Sequence, residues 1–155
     1  KGAIHNYINI TEENFSDITI EYGYSEAHKK DPDRALRILK REVEKNPNCI
    51  REKYYYAREF YYRKDYVTCL YWLDKYLEVG SWLAERAEAY LLRAKCYWNI
   101  SEGEKARREV LMALNINANF KEAILLMAEM SFEKNAKQWE QMAKTADNTN
   151  VLFIR

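Results

Sequence analysis

The chain has 155 residues, 48% hydrophobic and 32% charged, a balance that suits one globular domain with a sizeable core. Its formal net charge is +1, from 25 basic and 24 acidic side chains, which argues against a partner selected by bulk charge, such as nucleic acid or an anionic membrane surface. There is no run of about 18 apolar residues, so no membrane-spanning helix is expected, and no signal-peptide pattern opens the chain.

Residues 1–30 read as extended rather than helical. Ile4, Tyr7, Ile8 and Ile10 are β-branched or aromatic, and Asp17–Tyr22 alternates polar and apolar. Two short strands are expected, near 3–9 and 17–22, and two strands alone are marginal without something to pack on. The start at Lys1-Gly2, without Met, is read as a cut end inside a longer protein or an artificial boundary. His28, Lys29 and Lys30 read as a solvated linker.

From residue 31 to 147 the pattern becomes helical. Asp31-Pro32 suits an N-cap followed by proline at the first helical position. Asn46-Pro47-Asn48 is a breaker, Gly80 reads as a helix C-terminal cap, and Ser101 with Glu104 has capping-box spacing. These marks predict seven helices, over 32–45, 50–63, 66–79, 84–99, 102–115, 120–134 and 137–146. Their apolar residues recur at steps of three and four, as in Leu36, Leu39 and Val43, or Leu70, Leu73 and Leu77. Residues 148–155 form a last extended segment around Val151–Ile154.

Three cysteines, Cys49, Cys69 and Cys96, cannot all pair within one chain, and none forms a CxxC. They read as reduced, buried thiols of a cytoplasmic protein. With only two histidines, a His/Cys zinc cage is not expected.

Self-similarity is the strongest signal. Small residues in alternate helices, Ala35, Cys69 and Ala106, lie 34 and 37 residues apart, and Ala57, Ala94 and Ala128 lie 37 and 34 apart. Both series place three extra residues in one place, read as the loop Gly80–Ala84. Phe60 and Tyr97 follow the small residue by three, Asp65-Tyr66 opens a second helix, and Pro47 sits twelve after Ala35. This pattern resembles the tetratricopeptide repeat, with its 34-residue helical hairpin and small residues where helices touch. The resemblance implies an all-α solenoid of about three and a half repeats behind the short N-terminal β segment. On the same alignment Glu140 takes the small-residue place of the third repeat and Ser131 its Tyr place, a degenerate terminal repeat expected of a cap.

In that family the first helix of each hairpin lines a concave face. Counted from the small residue, the inner positions are Arg51, Tyr54, Arg58, Tyr61 and Tyr62, then Leu91, Lys95, Trp98 and Asn99, then Leu125, Glu129 and Phe132. Aromatics beside basic groups suit peptide or sugar stacking and cation–π contact. The family's carboxylate clamp uses Lys and Asn where this chain has Tyr54 and Arg58, so that mode is not expected.

The flanks carry a second resemblance. Lys1-Gly2-Ala3-Ile4-His5-Asn6-Tyr7, then Ile18–Ser25, then Lys29–Arg34, and the ending Ala146–Phe153, are similar to the C-terminal part of bacterial family 2 glycosyltransferases. The resemblance implies a parent enzyme that uses a nucleotide-sugar donor and a divalent metal, with His5 at a metal or diphosphate position and Asn6 where the family has Glu. No Asp-x-Asp metal motif precedes His5, and Asp31-Pro32-Asp33 is better explained by helix capping. This chain alone is therefore not expected to be catalytic or to hold a cofactor. It would be a scaffold for the acceptor, a protein partner or a second copy in a homodimer. The alternative is a stand-alone tetratricopeptide adaptor for protein or peptide. A helical-repeat RNA reader is disfavoured by the near-zero charge, and no nucleophile–base pair or phosphate loop is seen.

Overall fold

The computed structural model describes residues 30–146. Among them are seven helices: α1 (Arg34–Lys45), α2 (Arg51–Tyr62), α3 (Tyr66–Leu77), α4 (Leu83–Asn99), α5 (Gly103–Ile116), α6 (Lys121–Glu129) and α7 (Glu133–Thr145). No strand occurs among the described residues. The strands expected near 3–9 and 17–22, the linker at His28, the metal position His5 and the segment Val151–Ile154 lie outside them.

Three antiparallel hairpins, α2–α3, α4–α5 and α6–α7, stack behind a lone α1, and each packs on the next. Two apolar clusters fill the stack. One joins Leu39 and Val43 of α1 to Tyr54, Tyr56, Cys69, Leu73 and Tyr76 and reaches Ala89, Leu92 and Cys96 of α4. The other joins Leu91 and Ala94 to Ala106, Val110, Phe120 and Met127. Tyr97 packs against both, so one core runs through the solenoid. All three cysteines are buried free thiols. Cys69 lies beside Cys96, and that contact together with burial drives its pKa up, which leaves it a poor nucleophile.

The connections repeat as faithfully as the helices. Asn46 and Asn117 each accept, on the side-chain oxygen, the N–H two residues on (Asn48 at 3.2 Å, Asn119 at 3.1 Å). Their carbonyls take the N–H of Cys49 and Phe120, both buried. These turns open α2 and α6. At the other end of the hairpins, Lys64 and Ser101 have φ of 61° and 64°. The Lys64 and Asp65 N–H groups bond the carbonyls of Tyr61 and Phe60, and those of Ser101 and Glu102 bond Trp98 and Tyr97. This is the left-handed helix ending that glycine normally occupies.

Several sequence expectations change here. Ser101 is the left-handed residue that ends α4, so its capping box does not form, and α5 begins at an N-cap, Glu102, without a side-chain bond. Asp31 does not cap α1, because its carboxylate takes the Arg37 guanidinium (2.8 Å) while its carbonyl accepts the Arg34 N–H. Gly80 has no positive φ. A β-carbon there would lie 2.6 Å from the ring of buried Tyr76, so close approach is what demands glycine. The three extra residues are not loop. α4 starts eleven residues before Ala94, whereas α2 starts six before Ala57, so the insertion lengthens a helix.

The third hairpin is also not degenerate in the way its letters suggest. α6 ends at Glu129, one residue past Ala128, whereas α2 and α4 run five past Ala57 and Ala94. One helical turn is missing. α7 therefore begins early, and Ala136, three residues into it, stands where Cys69 and Ala106 stand in α3 and α5. Buried Ala143 matches Tyr76 and Ala113 in that register. Glu140 is an exposed side chain, and Ser131 is the turn residue, its hydroxyl donating to the Met127 carbonyl (2.7 Å).

The turn geometry gives a stability test. Lys64→Gly and Ser101→Gly should each stabilise the fold by about 1 kcal/mol, since each relieves a left-handed strain. Gly80→Ala should destabilise it by roughly 1–3 kcal/mol through overpacking on Tyr76. Urea unfolding of the three variants measures both signs.

Candidate functional site: the face of α2 and α4

The first helices of the hairpins are tied edge to edge. Arg51 Nε of α2 donates to Glu85 Oε2 of α4 at 3.1 Å, and Trp98 Nε1 of α4 donates to Glu129 Oε1 of α6 at 3.0 Å. The Tyr66 hydroxyl reaches Asn99 Oδ1 at 3.1 Å, which pins the end of α4 to α3.

Along α2 the residues at steps of four, three and four form one stripe. The Arg51 guanidinium lies 5.1 Å from the Trp82 ring centre and 5.6 Å from that of Tyr55. The Arg58 guanidinium lies 5.6 Å from Tyr55, 5.8 Å from Tyr54 and 5.7 Å from Tyr62. The order Trp82, Arg51, Tyr55, Arg58, Tyr62 is thus an alternating stack of rings and cations. Hydrogen bonds fix it: Arg51 Nη2 donates to the Tyr55 hydroxyl (3.0 Å), and Arg58 Nε and Nη2 both donate to the Tyr62 hydroxyl (3.2 and 2.6 Å). Cation–π contacts of this kind contribute about 0.5–1 kcal/mol each where water is near and more where it is excluded.

Beneath the stack lies a buried carboxylate. Glu85 is 1% exposed, and Arg51 is its ion-pair partner. Burial raises its pKa above the ordinary value, and the Arg51 charge opposes the rise. Burial works against the Arg58 charge too, but the surrounding tyrosine oxygens outweigh it and its pKa ends raised. The Tyr76 hydroxyl is buried near Glu85, and burial first, then the Glu85 charge, holds its pKa up.

The expected inner positions divide into three groups. Arg51, Arg58, Tyr61, Lys95 and Trp98 are half-buried, and Tyr62, Asn99, Leu125 and Glu129 are exposed. Tyr54 and Leu91 are core residues, each 1% exposed, because their rings and methyls fill the space between hairpins. Phe132 leaves the face altogether. The shortened α6 ends before it, and it sits in extended backbone as the N-cap of α7. Tyr55, Trp82 and Glu85 were not foreseen. The signal for Tyr55 was present, since 51, 55, 58 and 62 share one helical stripe. Trp82 and Glu85 were hidden by the insertion. Among the described residues, no group of three or more His, Cys, Asp or Glu could hold a metal ion, and no helix is long and apolar enough to cross a membrane.

No protein-family model matches the chain, and no curated protein sequence does. Solved structures do. The RS-1 ArsTM double mutant of MamA superposes with a TM-score of 0.68 at 18% identity, over 77% of this chain and 68% of that one. Residues 41 to the end of MamA from Desulfovibrio magneticus RS-1 give 0.63 at 18% identity, over 77% and 67%. MamA from AMB-1 gives 0.63 at 16% identity, over 78% and 73%. Likeness at such identity concerns the fold, and it supports a tetratricopeptide-like helical solenoid.

The buried carboxylates give a pH test. Glu85 and Glu109 both have native pKa values raised by burial above the usual 4.5. The native state therefore holds protons that the unfolded chain releases, and the stability each contributes is full below about pH 4.5 and is lost as pH rises through its native value. Glu85→Gln should lose less stability than the wild type between pH 4.5 and 7, and Glu85→Gln with Glu109→Gln less again. Urea unfolding at a series of pH values reads the slopes, and identical slopes would exclude a raised Glu85.

Proposed function

We propose that the chain is a tetratricopeptide-like interaction scaffold, and that a protein or peptide partner lies along the face formed by α2 and α4. The observation that carries this reading is the ordered stack of Trp82, Arg51, Tyr55, Arg58 and Tyr62. Its aromatic and arginine side chains are held in place before any ligand arrives, so binding spends little on ordering them. Large rings and guanidiniums of this kind dominate binding energy at protein interfaces. Tyr62, 59% exposed, and Trp82, 47% exposed, leave the stack open at both ends.

The stand-alone adaptor is favoured over the transferase segment. The motifs similar to a family 2 glycosyltransferase, His5 included, fall almost wholly outside the described residues. The helical-repeat structures that superpose on this chain give that reading no support. Its nucleotide-sugar, divalent metal and glycan acceptor belong to the transferase reading alone.

Peptides selected from a random library against the whole chain test the face. Tyr62→Ala and Arg58→Ala should each weaken the selected peptides by roughly tenfold or more. Tyr71→Ala, an exposed ring on α3, should leave them unchanged. Peptides that bind both face variants as tightly as the wild type would overturn the proposal.

A further inference from the structure

The upstream chain enters the solenoid at one end of the stack on α2 and α4. Arg63, the residue after Tyr62, donates from Nη2 to the Pro32 carbonyl (3.1 Å) and to Asp33 Oδ1 (2.8 Å). Asp31 is held in turn by Arg37, whose Nη1 lies 2.8 Å away. Residues 31–33 are therefore fixed at the C-terminal end of α2, and whatever precedes Lys30 starts beside Tyr62, where the stack is open. Tyr54, Tyr55, Arg58, Tyr61, Glu88 and Lys95, all on α2 and α4, each hold an interaction beyond those of the stack.

Residues 1–29 have the composition of a ligand for such a face. They hold nine Ile, Tyr and Phe side chains, and their five acids against two lysines give a net charge of −3. The whole chain carries +1, which leaves +4 for the rest of it. Opposite net charges draw the two parts together, and rings and branched side chains suit a surface of tyrosines and guanidiniums. The alternation in Asp17–Tyr22 gives an extended strand one apolar side, Ile18, Ile20 and Tyr22, and one polar side, Asp17, Thr19 and Glu21. Such a strand is marginal alone and needs a surface to lie on. Lengths agree as well. α2 has 12 residues and so is about 18 Å long. Six extended residues, the span of Asp17–Tyr22, cover about 20 Å. The stretch 23–29 then reaches about 23 Å, enough to join that strand to Lys30 at the Tyr62 end.

We propose that residues 17–22 of this same chain lie along the α2–α4 face, running from the Trp82 end to the Tyr62 end, and occupy it until an outside partner displaces them. The displacement rests on the partner reading above, whereas the docking of the segment does not. A short tether holds the segment near the face at an effective concentration on the order of millimolar, so contacts too weak to bind a free peptide suffice to fill it. An outside ligand then binds with an affinity reduced to the fraction of molecules whose face is empty.

Cys49, Cys69 and Cys96 are buried, so a nitroxide attached to Thr19→Cys marks a single site in the whole chain. Paramagnetic broadening of amide signals reads where that site lies. The amides of Arg58, Tyr62 and Lys95 should broaden, and those of Tyr71 on α3 and Arg108 on α5 should stay sharp. Signals unchanged, or broadened over the whole chain alike, would overturn the proposal. In a mixture of labelled chains with unlabelled, isotope-enriched ones, the enriched signals should stay sharp. Broadening there would mean that the face takes the segment from a second copy, and it would overturn the intramolecular contact. Ile18→Asp with Ile20→Asp should abolish the broadening and tighten, by about tenfold, the library peptides that need Tyr62. Circular dichroism checks that this variant keeps its helices. Peptides that need Tyr62 yet bind the variant no better than the wild type would overturn the occupancy and leave the partner reading standing. Peptides indifferent to Tyr62, with the broadening on α2 and α4 still present, would sink the partner reading and leave the docking standing.

Discussion

Every helix in the interior of this stack must touch neighbours on more than one side, and the contact distance at the crossing points sets everything else. Ala57, Cys69, Ala94 and Ala106 are fully buried at those crossings. A larger side chain at any of them would push two backbones apart and open the core on both sides of the helix, at a cost of about 1–3 kcal/mol even when the neighbours adjust. A lone hairpin could not bury such a surface, so stability comes from neighbours in sequence order. α1 shows the other limit. Its Ala35 occupies the same place in the repeat and is only half-buried.

Once the crossings are fixed, equivalent positions become interchangeable in chemistry, and the three hairpins use that freedom. Tyr56 and Trp72 meet edge to face in the first hairpin, with ring centres 4.9 Å apart. The same two places in the second hold Arg93 and Glu109, with Arg93 Nη2 3.4 Å from Glu109 Oε1 and 3.2 Å from Asp74 Oδ1. In the third they hold Met127 and Trp139, and both pack in the second cluster. The ion-paired version is the costly one. Arg93 Nε and Glu109 Oε2 are buried and have no hydrogen-bond partner among the described residues, so desolvation offsets much of the Coulomb gain. The apolar pairs on either side carry no such penalty, which makes the middle hairpin the one most exposed to changes in pH.

The sequence disclosed the period because small residues at helix crossings are few and regularly spaced, and six of them fell on two consistent series. It disclosed the helix boundaries where Asn46-Pro47-Asn48 and Asp65 marked them. Asp65 does cap α3, accepting from the Thr68 N–H at 3.1 Å. What it hid were changes of length inside helices. Counting 34 residues onward from Ala106 leads to Glu140, and only the early turn at Ser131 reveals that Ala136 is the true equivalent. A residue's place on a face was also less legible than its place in the period. Tyr54 and Leu91 lie at inner positions by count, but both are long enough to reach the core between hairpins, and burial of that much apolar area outweighs exposure to a groove.

Both breaks in the period fall where the surface becomes distinctive. The inserted residues lengthen α4 at its start, and that added stretch holds Glu85 under Arg51, with Trp82 at its N-cap against the same guanidinium. Without it, the α2 stripe would have no acid to fix its first arginine and no ring to begin the stack. The lost turn in α6 acts in the opposite sense. It strips Phe132 from a helical face and sets it in extended backbone at an edge. A strict repeat would make each hairpin's surface a copy of the last and give a partner nothing by which to find its register. In repeat proteins insertions map to surface faces that often bind, and rules broken locally tend to mark function. Here one insertion and one deletion convert three near-equivalent hairpins into a solenoid whose surface differs from one hairpin to the next.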